Sequence, residues 1–396
     1  MKPRSAIPAG VWTLGFVSML MDSSSELIHS LLPLYLAGTL GASALTIGLI
    51  EGVAESLALI VKVFSGYLSD LTQRRKPLVL AGYGLAAASQ LVFPLATSIG
   101  WIMTGRFVDR VGKGIRGAPR DALIADLTPH DVRGGAFGLR QALDTVGAIA
   151  GPLLAVGAIA WFAGDFRAAF WVAVVPAALC VVLIIVGVRE PAPQQRPTGR
   201  RIAWRDLGRL GRPFALVTGI AVVLTLARFS EAFLVLRGHD VGLSNLQAPW
   251  VMVVMSVVYA ALAYPAGGAA DRGHARGLLL GGFVALIASD LVLARAATPL
   301  GALAGAALWG LHMALTQGLL AALVSATAPA DLRGTAFGVF NLGSGVALLA
   351  ASAIAGYRWD AFGPACTLYA GAGFTGLALL GWLVLRRDLP ALSETA

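Results

Sequence analysis

The chain has 396 residues, 57% of them hydrophobic and 13% charged, about half the charge of an average soluble domain. That composition, held over this length, excludes an ordinary soluble enzyme and points to a polytopic membrane protein. The net charge of +9 is then first a matter of topology, and nucleic-acid binding is not needed to explain it.

Twelve apolar runs long enough to cross a bilayer are predicted at about 9–37, 45–68, 77–98, 100–120, 134–159, 167–188, 213–236, 248–269, 277–295, 300–326, 334–357 and 365–385. Lys2 and Arg4 precede the first run as they would in a signal peptide. The run is too long for one, contains Asp22 and Glu26, and lacks a small-residue cleavage site, so it is read as a span. Residues 189–212 hold Pro191, Pro193, Pro197 and seven arginines, which marks a solvated loop. The expected organisation is a six-helix bundle over 1–188, a cytoplasmic linker over 189–212 and a second six-helix bundle over 213–396.

Orientation follows from the basic residues. With the N-terminus cytoplasmic, Arg167, Arg237, Arg295 and Arg358 fall on the far side. Lys62, Arg106, Arg110, Lys113, Arg140 and Arg228 fall inside spans, and the other 20 of the 30 Lys and Arg lie in cytoplasmic tails and loops. Both termini are therefore predicted to be cytoplasmic.

The halves repeat. Asp131-Val-Arg133-Gly134-Gly-Ala136-Phe137-Gly138 recurs as Asp331-Leu-Arg333-Gly334-Thr-Ala336-Phe337-Gly338, with Pro129 and Pro329 before them. Gly66-x-x-x-Asp70 recurs as Gly267-x-x-x-Asp271, and Ser25-Glu26 is echoed by Ser230-Glu231. A shared offset near 200 residues describes two related six-helix units.

At this point the chain resembles the major facilitator superfamily. Gly66-Tyr-Leu68-Ser-Asp70-Leu-Thr-Gln-Arg74-Arg75-Lys76 is similar to its loop 2–3 motif. Arg106-x-x-Asp109-x-x-Gly112-Lys-Gly114 is similar to its fourth-helix motif, with Asp109 where Gln is commoner, and Gly147-x-x-x-Gly151-Pro152 to the fifth-helix motif of its antiporters. A further resemblance is to a bacterial subgroup that includes a magnetosome-associated, iron-linked member. The family implies an all-α integral membrane fold of twelve transmembrane helices in two pseudo-symmetric six-helix bundles. It implies a secondary transporter working by alternating access, with helices 1, 4, 7 and 10 lining a central cavity.

Ionisable groups in hydrocarbon cost at least a few kcal/mol, so they face a cavity or pair with one another. The spans of the first half contain the acids Asp22, Glu26, Glu51, Glu55, Asp109 and Asp144 and the bases Lys62, Arg106, Arg110, Lys113 and Arg140. Arg106, Arg110, Lys113 and Arg120 share one helix face, with Arg116 close to it. The near balance of sign predicts a paired network. In the second half only Arg228 and Glu231 lie deep in a span; Asp290 and Arg295 are placed near the outer end of span 9. The repeat partners of Arg140 and Asp144 are Phe340 and Ser344. The first half is thus expected to supply most ion coupling. Asp22, Glu26 and His29 share a face of span 1 and form a proton-handling set, or a purely structural one that locks the bundle. Asp70, Arg74 and Arg75 are read as a gate, with Asp271 and Arg272 their second-half counterparts. Gly112-Lys113-Gly114 does not have P-loop spacing and is read as close helix packing. Met252, Met255, His312 and Met313 are weak candidates for a soft metal, against the alternative that methionine fills packing gaps. Pro33, Pro94, Pro152 and Pro176 are expected to kink their helices.

The leading expectation is a proton-coupled exporter of a small organic molecule in the bacterial inner membrane. Its partners would be that substrate, the coupling proton and the lipid bilayer; it would act as a monomer without cofactor, resident metal or nucleic acid. A transition metal or metal–siderophore chelate is the second reading of the cargo. A receptor or intramembrane enzyme is the reading from another class, and no nucleophile–base pair or nucleotide fold supports it.

Overall fold

The computed structural model describes residues 6–72, 74–129, 132–190, 208–329 and 332–385, with the side chains of Asp70, Asp271 and Leu385 left aside. The described residues contain helices and no strand. In chain order these are α1 (Ala9–Leu34), continued by a π-turn at Tyr35–Thr39, α2 (Ala44–Thr72), and α3 (Arg75–Gln90) with a short extension Val92–Leu95. Then follow α4 (Ile99–Leu127), α5 (Arg133–Trp161) and α6 (Phe166–Gly187). The second half comprises α7a (Gly211–Ala227), α7b (Ala232–Asp240), α8 (Trp250–Ala269), α9 (Ala275–Arg295), α10 (Pro299–Thr327), α11 (Arg333–Phe362) and α12 (Pro364–Leu385).

Two helix starts carry side-chain caps. Asp165 accepts from the Arg167 and Ala168 amides ahead of α6, and Thr298 accepts from Gly301 ahead of α10, with Pro299 at its first position. Among the described residues, ten helical regions are long and apolar enough to cross a membrane. α1 and α4 are not among them, although both are long enough, at 26 and 29 residues. α4 carries eight charged residues, and α1 carries Asp22 and Glu26 beside the serines Ser23, Ser24 and Ser25, which lowers the hydropathy of both. With them the count is the twelve expected.

Two spans differ from expectation. α4 runs to Leu127, well past residue 120, because Arg116, Arg120, Asp121 and Asp126 find partners inside the fold. The seventh span is broken at Arg228–Glu231, where Arg228 leaves helical geometry (φ −99°, ψ 62°). The freed backbone groups are met by side chains: Ser352 Oγ accepts from the Ser230 amide and Ser230 Oγ from the Ala232 amide. Substitution of this kind is what makes a broken helix tolerable in an apolar setting.

Two compact units result. One comprises Met1–Gly41 and Val53–Arg200, the other Ala42–Gly52 and Arg201–Ala396. α2 is thus divided, and Glu51 belongs with the second unit although Glu55 belongs with the first. In the first unit α1 packs on α5 and α6, and α3 on α4 and α6; in the second, α7a packs on α11 and α12, and α9 on α10 and α12. The repeated sequence therefore produces repeated packing. The first unit's core joins Val11, Leu14, Val17 and Met21 of α1 to Val79 and Tyr83 of α3, Leu123 and Ile124 of α4, and Ala177 and Ile184 of α6. Most of the expected linker, 191–207, lies outside the described residues.

Candidate coupling site

α4 carries five bases, and the helical repeat places them along one side over about 21 Å. The helix is held close to its neighbour α3: a Cβ on Gly112 would meet the Gly82 carbonyl oxygen at 2.6 Å. This close packing is the role of the Gly112-Lys113-Gly114 stretch.

At one end lies a pair of arginines. Arg106 and Arg110 are buried, their side chains 1% exposed. Arg110 Nη1 is 3.1 Å from Glu55 Oε1 and its Nε 3.5 Å from Asp109 Oδ2. Arg106 reaches Asp109 at 3.6 Å and Glu55 at 4.0 Å. Gln90 Nε2 on α3 donates to Asp109 Oδ1 at 3.3 Å. Two cations thus share two carboxylates, the arrangement that makes buried charge tolerable.

At the other end Arg116 Nη2 lies 3.4 Å from Asp22 of α1, and its guanidinium sits 4.5 Å over the Tyr83 ring. Arg120 Nη1 donates to Ser18 Oγ at 2.7 Å, and Ser18 and the Tyr83 hydroxyl are 2.8 Å apart. Arg120 also pairs with Asp121 at 3.1 Å and lies 3.9 Å from Asp144. Arg140 pairs with Asp144 at 2.9 Å, one helical turn along α5, and with Asp121 at 3.6 Å.

Between the two clusters stand Lys113, Glu26 and His29. Glu26 Oε2 is 3.5 Å from His29 Nδ1. Lys113 is exposed, and its charge acts on Asp22, Glu26 and Glu55. Of the five bases on α4 the other four lie within 4.0 Å of a carboxylate. Asp22, Glu26 and Glu55 each keep about a quarter of their side-chain surface exposed (27%, 24% and 28%). The antiporter-like glycines set this geometry. A Cβ on Gly151 would sit 2.5 Å from the Glu26 Cβ, and one on Gly147 would sit 2.6 Å from the Met19 carbonyl oxygen and 3.0 Å from the Asp22 Cβ. Without them α5 would stand too far off to hold these acids beside α4.

The loop motif is partly visible. Arg74 is exposed and precedes α3; Arg75 is buried and forms an ion pair with Asp126 at the end of α4. The Glu190 carboxylate accepts from the Arg75 and Lys76 amides, both at 2.7 Å, capping α3 from beyond the end of α6. The Asp70 and Asp271 side chains lie outside the description. Gly66 packs near Ala118, and the exposed Arg272 sits in a π-turn beside Gly273, whose φ is 91°.

Among the described residues the second unit offers no comparable network. Arg228 sits at the α7 break, where the charge of Glu231 acts on it, and its Nε is buried without a hydrogen-bond partner. His312 is fully buried, with Nδ1 2.8 Å from the Gly282 carbonyl oxygen. Met252 and Met255 are buried on α8, and Met313 adjoins His312. Among the described residues no three His, Cys, Asp or Glu side chains converge as a metal site. The residue pattern alone assigns no role to Asp121, Asp126, Glu190, Gln90 or Tyr83. Glu190 could have been found from its place immediately before the proline-rich loop; the others carry no local signal.

The sequence profile of the Major Facilitator Superfamily matches residues 11–236 and 223–396. The chain is 32% identical over 380 residues to an MFS-type transporter of Methanocaldococcus jannaschii, covering 93% of this chain and 94% of that one. It is 30% identical over 362 residues to a protein of Mycobacterium tuberculosis strain H37Rv, covering 88% and 86%. In fold it is similar to a crystal structure of the peptide transporter POT in complex with sulfate (TM-score 0.78, 15% identity, 99% and 97% covered). It is likewise similar to a point mutant of the nucleoside transporter NupG (TM-score 0.78, 14% identity, 95% and 99% covered). A helical fold with repeated packing, ten apolar spans plus two polar ones, and a profile match across both halves lead to one conclusion: the chain belongs to the major facilitator superfamily and is a multi-pass membrane protein, a secondary transporter and not an enzyme.

Proposed function

We propose that the chain is a proton-coupled exporter of a small organic molecule, monomeric, in a bacterial inner membrane with both termini cytoplasmic, working by alternating access. The observation that supports this is the state of Lys113. It is an exposed base beside three part-exposed acids, while every other base on α4 is paired. Protonating Asp22, Glu26 or Glu55 would release a base from its partner, and a free cation next to them can take a vacated place. An exchange of partners of this kind couples protonation to helix position, which a fully satisfied network cannot do.

The fold relatives named above are, by their names, transporters of peptides and of nucleosides, which favours an organic solute. The antiporter-like Gly147 and Gly151 stand directly against the Asp22 and Glu26 turns of α1, which favours exchange of substrate for proton. A metal ion as cargo has less support, since Asp22 is engaged by Arg116 and Glu26 by His29.

The test begins with a thermal-shift panel of antibiotics, organic acids, metals and chelates on the purified protein. The compound that stabilises it is then followed in proteoliposomes under an imposed pH gradient. Wild type is expected to move it against its gradient; Glu26→Gln, Glu55→Gln and Asp109→Asn are expected to lose the pH-driven component while remaining folded. Full pH-driven transport by all three variants would overturn the coupling assignment.

A further inference from the structure

We propose that Asp290 is a second proton-binding site, held in the second unit and separate from the network on α4. Sequence position puts Asp290 near the outer end of its span, where water would solvate a carboxylate. The structure puts it at 0% exposure on α9, with both carboxyl oxygens lacking any hydrogen-bond partner among the described residues.

A glycine and a phenyl ring close over it. From α12, Gly371 lies so close that a Cβ there would stand 2.8 Å from Asp290 Oδ2. The Phe229 ring, from the break in α7, touches the same point at 3.2 Å, and its centroid lies 5.5 Å from the tilted ring of Trp309 on α10. The neighbouring Ser289 hydroxyl is committed to the Gly305 carbonyl at 2.7 Å.

The charged groups of the packed elements are engaged elsewhere. The Arg237 guanidinium of α7b donates to the carbonyls of Leu293, Ala294 and Ala296. Arg228 acts on His312 of α10, whose own Nδ1 is bound at Gly282, and Glu231 acts on Arg228. Arg295, one turn beyond on α9, is exposed. Among the described residues no charged side chain acts on Asp290.

An anionic carboxylate here would be a charge with neither water nor counter-ion, and a group so placed takes up a proton instead. A metal cation is a poor alternative ligand, because it needs several donors and among the described residues no three Asp, Glu, His or Cys side chains converge. The proton joins a carboxylate oxygen from water, and it can leave only when α9 and α12 part at Gly371 and let water in. Asp290 would then hold its proton while this packing is closed and release it when the packing opens. This deepens the proton-coupled reading, on which its place in the transport cycle rests; the protonation itself does not depend on that reading.

The deciding experiment is infrared spectroscopy of the purified full chain at neutral pH, in light and heavy water. Wild type is expected to show a protonated-carboxyl C=O band that Asp290→Asn loses. Gly371→Ala, which keeps the acid but pushes a methyl against Oδ2, is expected to shift the band. Identical spectra for folded wild type and Asp290→Asn would overturn the site. In proteoliposomes under a pH gradient, Asp290→Asn is expected to reduce the pH-driven component at least tenfold while exchange without a gradient survives. An unchanged pH-driven component with the band lost would overturn its part in coupling. No pH response even in wild type would instead sink the proton-coupled reading, with the infrared band still deciding the site.

Discussion

The two halves share a packing scheme and almost nothing of its chemistry. In the first unit nearly every buried charge meets its opposite: Arg106 and Arg110 with Glu55 and Asp109, Arg116 with Asp22, Arg120 and Arg140 with Asp121 and Asp144. In the second unit one buried acid stands without such a partner: neither carboxyl oxygen of Asp290 is hydrogen-bonded among the described residues, and the Arg228 Nε and His312 Nε2 likewise lack a hydrogen bond. A duplicated scaffold can therefore diverge in charge without losing its helices, because helix packing depends on small and apolar residues that both copies keep. The α4 network behaves as a set of mutually dependent ions. Asp290 behaves as an isolated acid.

That contrast makes opposite predictions for charge removal. The largest effect is expected for Arg110→Ala. It leaves Glu55 and Asp109 sharing Arg106 alone, and breaking a buried pair costs about 3–5 kcal/mol, so thermal unfolding in detergent should show a strong loss of stability. Arg110→Lys should recover part of it, since it keeps the charge but loses the fork that spans two acids. A wild-type melting profile for Arg110→Ala would break the picture of a dependent network.

Next in size is Gly151→Val. It drives a side chain into the Glu26 turn of α1, an overpacking expected to cost about 1–3 kcal/mol. Cysteine crosslinking between α1 and α5 should weaken as the helices separate. Smaller again is Glu190→Ala, which removes the carboxylate cap from α3. A loss of about 0.5–2 kcal/mol is expected, with faster amide exchange at Arg75 and Lys76. The smallest effect belongs to Asp290→Leu. Removing an unpartnered acid leaves no stranded counter-ion, so stability should stay within about 1 kcal/mol of wild type or rise. A large destabilisation there would show that Asp290 has a partner after all, and the contrast between the halves would fail.

Much of this is legible in the residues themselves. The α4 bases have to lie on one face, because their spacing follows the helical repeat. Arg140 and Asp144 have to meet, because four residues is one turn. The long-range partners are not legible. Arg75 could have faced solvent as Arg74 does, and nothing near Asp126 in the chain announces that it receives Arg75. Likewise Tyr83, an aromatic in an apolar span, reads as core, yet it carries Arg116 on its face and joins Ser18 and Arg120 by its hydroxyl. Sequence position gives Asp290 its place near the end of its helix but not its burial: counting residues gives depth along a helix axis, not whether a glycine and a phenyl ring close over the side chain.

The sequence alone determined the twelve helical segments, the duplication and the superfamily, because hydropathy, repeat spacing and motif are properties of residues near one another in the chain. Tertiary structure alone decided which acid holds which base, that Glu51 and Glu55 of one helix fall to different units, that the seventh span breaks at Arg228, and that Asp290 has no partner among the described residues. Those outcomes depend on contacts between residues tens to hundreds apart, fixed by how closely the small residues Gly82, Gly112, Gly147, Gly151 and Gly371 let neighbouring helices approach.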